Sequence, residues 1–116
     1  AGQETLDHSV MRLVDAVTVL AYRNRAAGTD GTIELARPAV ETAHRLGRPV
    51  RIEQETRYLG PAPACRKQTF HGQPESAMEQ QFTAVESAFA DVTAFAGLAI
   101  HDERGYRTIV EARPAL

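Results

Sequence analysis

Three β-rich runs, each set between stretches of helical spacing, constrain this chain more than any other feature. "AVTVLAY" at residues 16–22, "VRIEQET" within residues 49–57 and "FAGLAIHD" at residues 95–102 read as strands. Ahead of the first, "ETLDHSVMRLV" at residues 4–14 places Leu6, Val10, Leu13 and Val14 on one stripe at helical offsets. Between the first two, residues 32–46 read as helical but interrupted. Pro38 lacks the backbone donor a helix interior needs, so one turn is expected near 33–36 and the main helix from about 38 to 46, with Gly47 as its cap.

Between the second and third runs comes "RYLGPAPACRKQTFHGQPE", a polar stretch longer than most connections and therefore expected to be functional or mobile. Ser76 and Glu79 form a capping-box signature, after which Met78, Phe82, Val85 and Phe89 recur at helical spacing, so a helix is expected over 77–91. "GYRTIVEARPAL" closes the chain as a short helix, with Tyr106, Ile109 and Val110 inward and Pro114 as its stop. The order α-β-α-β-α-β-α predicts an α/β fold of parallel βαβαβ units with right-handed crossovers.

Composition bounds what such a fold does. With 116 residues and 43% hydrophobic content, a single domain over 1–116 with a modest core is expected. A formal net charge of −2 gives no basis for nucleic-acid or anionic-membrane partners, and no apolar run has the length of a membrane span. "AGQETLDHSV" lacks the charged-then-apolar profile of a secretory leader. The single cysteine, Cys65, cannot close an internal disulfide, and the compartment stays open. His8, His44 and His71 show no metal-ligand spacing, and Gly28, Gly31 and Gly60 make no phosphate cradle, so neither metal nor cofactor is expected.

Side chains alternate faces along a strand. Val50 and Ile52 share one face of the second strand; Arg51, Glu53 and Glu55 share the other. Val17, Val19 and Ala21 oppose Thr18, Leu20 and Tyr22, and Ala96, Leu98 and Ile100 oppose Gly97, Ala99 and His101. Each strand thus has an aliphatic face for helices. The opposite faces end, at the carboxyl edge, in Tyr22, Glu55 and His101. Ligands of parallel α/β proteins bind at that edge, and in a (β/α) barrel this face lines the interior. Arg51 is the expected counter-charge of Glu53, leaving Glu55 freer to meet a substrate.

"VTVLAYRN", "VRIEQET" with "QTF" downstream, and "FAGLAIHD" followed by Tyr106 together resemble the last three strands of a TIM-barrel glycoside-hydrolase-like protein, over roughly residues 16–106. "LAYR" is also similar to the sixth strand of chitinase-type barrels, which ends in Met-x-Tyr-Asp. Leu20 and Arg23 stand in place of that Met and Asp, so the substrate-assisted mechanism of that group is not implied. In the large retaining clan of barrel glycosidases the nucleophile is a glutamate ending strand seven, and Glu55 occupies that place if these strands are six, seven and eight. The acid/base of that clan ends strand four, which has no counterpart among these three. A whole barrel takes about 250 residues. The resemblance therefore implies the C-terminal part of a partial (β/α)8 barrel, completed by the remainder of a larger barrel or by a homo-oligomer; a smaller open α/β sheet is the other fold that the pattern allows.

The chemistry expected is hydrolysis of a glycosidic bond, with Glu55 as nucleophile or base and His101 as acid/base. Tyr22, Arg23, Glu53 and Tyr106 are the expected substrate-binding residues, and a carbohydrate or other polar small molecule is the expected ligand. Each has a plainer alternative: Glu55 in an ion pair at a strand end, Glu53 paired with Arg51, His101 as a satisfied structural histidine, Tyr22 as a packed aromatic. Two other functions also fit: a non-catalytic binding or assembly module derived from a barrel, and a small α/β enzyme acting on a polar metabolite.

Overall fold

The computed structural model describes residues 6–112. Within it lie α1 (Leu6–Met11), β1 (Val17–Leu20), α2 (Thr32–Arg45), β2 (Val50–Glu55), α3 (Pro63–Arg66), α4 (Glu75–Ala88), β3 (Phe95–His101) and α5 (Glu103–Glu111). The strands form one parallel sheet in the order β1-β2-β3. The chain is therefore α/β, as the alternation of patterns requires.

Both long helices cover the same face. Val40 and Ala43 of α2 and Val85 and Phe89, at the end of α4, pack with Val50 and Ile52 of β2 in one buried cluster, against which Val17, Val19, Phe95 and Leu98 rest. Phe70, Met78, Phe82 and Ile109 make a second cluster under α5. The opposite face is bare: Thr18 and Arg51 are exposed, and Leu20 is 62% exposed.

Several local expectations change. Pro38 does not split the helix. Thr32–Arg45 is continuous, because Thr32, Ala36, Val40 and Ala43 keep one buried stripe while Pro38 itself is exposed. The carbonyl deprived of its helical donor therefore faces water rather than the core. Beyond α2, Gly47 takes φ +68 and donates to the His44 carbonyl, and Arg48 donates to Ala43, the paired closure of a Schellman turn.

The Ser76–Glu79 box does not cap α4. The helix starts at Glu75 behind Pro74, so Ser76 already lies inside it, and it ends before Phe89. The expected α1 stripe faces outward: Leu6 is 79% and Leu13 86% exposed, and Met11 is the buried residue. Residues 4 and 5 and Pro114 lie outside the described residues.

In β3 the pairing slips between Val50↔Phe95 and Arg51↔Gly97, leaving Ala96 as the extra residue of a bulge. The slip sends Phe95 to the helical face and exposes Ala96, so Ala96 does not share the Leu98 face as strict alternation would require. Gly97, at φ +110, absorbs the kink.

The long 56–74 connection is neither irregular throughout nor loose. It contains α3, and Thr69 and Phe70 are buried. Thr69 forms a parallel bridge with Glu55, and the Asn24 side chain donates to the Arg66 and Thr69 carbonyls at 2.8 and 3.0 Å. The loop thus takes up the place beside β2 that β1 vacates after Leu20.

Candidate active site at the carboxyl ends of the strands

The parallel register carries Glu53 beside Leu20 and Ala99, and Glu55 beside His101. Strand alternation then puts Glu53, Glu55 and His101 on the bare face, Glu55 and His101 at its carboxyl end. Two carboxylates and two potential partners meet there, but not in the combination expected.

Glu55 is buried, with its side chain 4% exposed. His101 Nδ1 lies 3.1 and 3.0 Å from its two oxygens, and Oε1 also accepts from the backbone N–H groups of Thr56 at 3.1 Å and Arg57 at 3.0 Å. A buried carboxylate is tolerated on such terms. A carboxylate accepts only, so Nδ1 carries a proton and Nε2 is the nitrogen left to meet a ligand. The imidazole is 46% exposed, and its hydrogen bond to Glu55, followed by the Glu55 charge, raises its pKa above the ordinary histidine value.

Glu53 is half-buried, and its Oε2 accepts a hydrogen bond from the Tyr22 hydroxyl. Burial first, then that hydrogen bond and the Glu53 charge, raise the phenol pKa and keep it a donor. The expected Arg51–Glu53 pair does not form. Arg51 is exposed, and among the described residues it has no ion-pair partner. Thus the expected roles are exchanged: Glu55 is the compensated carboxylate and Glu53 the more open one. The exchange follows from position along the strand. Arg51 lies toward the uncovered amino end, whereas loop 56–74 and the start of α5 close over Glu55.

That closure is built from small polar residues. The Thr56 hydroxyl donates to the carbonyls of His101 at 2.9 Å and Asp102 at 3.2 Å, and its backbone N–H donates to His101 at 2.7 Å. A Cβ at Gly105 would fall 2.5 Å from Thr56 Oγ1, so only glycine lets α5 approach this closely. Asp102 caps α5 by accepting from Gly105 N–H at 2.9 Å, and that bond, with the nearby Arg57 charge, lowers its pKa. Beneath the site Gln54 is buried and donates to the Ala21 carbonyl at 2.9 Å, fixing the exit of β1 just before Tyr22.

Arg23 follows Tyr22 but turns to Asp30, donating from Nη2 at 3.0 Å. Tyr106 packs against the Phe70, Met78, Phe82 and Ile109 cluster. Cys65 is a half-buried free thiol. Among the described residues no group of three or more His, Cys, Asp or Glu side chains could hold a metal. Sequence reasoning missed Thr56, Arg57, Gln54 and Asp102. The Asp-x-x-Gly spacing before a helical stripe was a readable cap signal for Asp102; nothing in the sequence marks Thr56, whose partners are backbone carbonyls from another strand.

No family model matches this chain, and no curated protein or solved structure matches it.

Proposed function

We propose that this chain is the C-terminal part of a carbohydrate-active (β/α)8 barrel that hydrolyses glycosidic bonds when the barrel is complete. The observation that carries this reading is the delivery of Glu53–Tyr22 and Glu55–His101 to one bare face by adjacent parallel strands. Further support comes from the open side of β1. There Leu6, Val10, Val14, Val19 and Leu20 border an apolar groove of about 470 Å³, the kind of surface that a further βα unit or a second copy would cover.

In this reading Glu53 faces the sugar as nucleophile or base, oriented by Tyr22. Glu55 is a positioning residue: it fixes the tautomer and direction of His101, whose Nε2 moves a proton or bonds a sugar hydroxyl. The second carboxylate that glycoside hydrolysis requires comes from the part of the barrel that completes the layer.

The test is turnover of a panel of neutral and acidic aryl glycosides by the full-length gene product. Glu53→Gln is expected to cut kcat by roughly 10²-fold or more while ligand affinity persists. Absence of turnover across the whole panel, in a protein that still binds sugars, would leave a non-catalytic binding module. The complete hydrogen bonding of Glu55 is the observation that favours that second reading.

A further inference from the structure

A cavity of about 490 Å³ opens between the β1–α2 loop and the loop after β2, one residue beyond Tyr22. Its wall brings together Arg23, Arg25 and Lys67 with a single acid, Asp30. Asp30 Oδ1 accepts from Arg23 Nη2 at 3.0 Å and Nε at 3.2 Å, and Oδ2 accepts from Lys67 Nζ at 2.9 Å. These bonds hold the Asp30 carboxyl below the usual range and leave N–H groups of both cations unspent. Arg25 is exposed and has no ion-pair partner among the described residues.

The cluster is more than a set of solvated charges. The buried Thr32 hydroxyl donates to the Arg23 carbonyl at 3.2 Å, with the Arg25 carbonyl also within reach at 3.4 Å. The Asn24 backbone N–H donates to the Lys67 carbonyl at 2.7 Å, which ties the two loops together. Gly31 is obligatory here, since a Cβ would lie 2.3 Å from the Ala27 carbonyl oxygen. The first amides of α2 donate to the Arg25 and Ala26 carbonyls, so a ligand would be met by side chains and not by the helix end. On a chain of net charge −2, a rigid pocket with a surplus of cations is a local positive potential. Exposed ion pairs add little to stability, so stability alone gives small reason to gather these charges.

We propose that this cavity receives an anionic substituent of the sugar, a carboxylate or similar oxyanion, bound by Arg25, Lys67 and the unspent Arg23 N–H groups. The sugar part of this proposal rests on the carbohydrate-active reading; the anion part does not. Arg23 on its wall follows Tyr22 in the chain and donates from Nη1 to the Tyr22 carbonyl at 2.7 Å, which couples the cavity to the Tyr22 backbone, and an anion held there would select acidic over neutral sugars.

The test is calorimetric and NMR titration of the full-length protein with glucuronate, glucose and inorganic phosphate. Glucuronate is expected to bind about tenfold or more tighter than glucose and to shift amide signals of Arg23, Gly28, Asp30 and Lys67. The Arg25→Gln/Lys67→Gln double variant should lose about tenfold in glucuronate affinity while glucose binding is unchanged. Equal binding of glucose and glucuronate, or unchanged glucuronate affinity in the double variant, overturns the proposal. Binding of phosphate but not glucuronate overturns the sugar-borne assignment and leaves a free-anion site. Failure of hydrolysis across the aryl glycoside panel bears on the catalytic reading alone, because these titrations need no turnover.

Discussion

On β2, Val50, Ile52 and Gln54 lie under the helices, while Arg51, Glu53 and Glu55 lie on the bare side, and the two sets handle burial differently. On the helical side all three residues are buried to 1% exposure or less. The apolar pair needs only packing partners; Gln54 needs the Ala21 and Glu53 carbonyls. On the bare side burial rises along the strand, from exposed Arg51 through half-buried Glu53 to buried Glu55. Each step toward the carboxyl end adds hydrogen-bond donors: a phenol at Glu53, then an imidazole and two backbone amides at Glu55. The helical face is held by volume, whereas the bare face is held by matched polar groups and is left open where none are supplied.

The sharpest way to break this contrast is Ile52→Ala. It removes a fully buried side chain beneath both helices and should cost about 3 kcal/mol in chemical denaturation. A loss well under 1 kcal/mol would mean the helical face is not the core.

A smaller effect is expected from Glu55→Gln, which keeps the shape and an acceptor for Thr56 and Arg57 but removes the charge facing His101. It should lower stability by about 1 kcal/mol near pH 6 and bring the His101 NMR titration midpoint down toward the ordinary value. The sign follows from linkage. The folded His101 pKa is raised, so its stabilising contribution is full below the unfolded value near 6.5 and fades as pH rises through the folded value. The wild type should therefore lose stability relative to the variant between about pH 6.5 and the raised midpoint. A midpoint that does not move in Glu55→Gln would show that Glu55 does not hold the imidazole.

The smallest effect belongs to Arg51→Ala. Exposed and without an ion-pair partner among the described residues, it should change stability by no more than about 0.5 kcal/mol. A substantial loss would restore the Arg51–Glu53 pairing that the Tyr22 hydroxyl displaces here.

The strand–helix alternation, the parallel sheet and the phase of β2 are legible in the sequence, because period-2 and helical patterns report which side of an element meets the core. The cap of α4, the direction of the α1 stripe and the bulge at Ala96 are not. For the α4 cap one local signal overrode another, Pro74 standing just ahead of the box; in the other two a local signal competed with packing against distant residues, which buries Met11 and draws Phe95 to the helical face. The site divides along the same line. That Tyr22, Glu53, Glu55 and His101 share an edge follows from parity. Which carboxylate takes which partner does not, because it depends on how far loop 56–74 and α5 fold over the end of β2.

By itself, the order of residues determined an α/β chain with parallel strands, an aliphatic underside and a row of polar side chains at the opposite edge, since these follow from side-chain geometry within each element. Only the tertiary structure decided that Glu55 is buried against His101 and that Glu53 meets Tyr22 instead of Arg51. It alone also gathered Arg23, Arg25 and Lys67 around Asp30. The physical reason is common to all three. Hydrogen bonds and ion pairs that join separate elements and loops depend on loop closure and register, and neither is encoded in the spacing of any one segment.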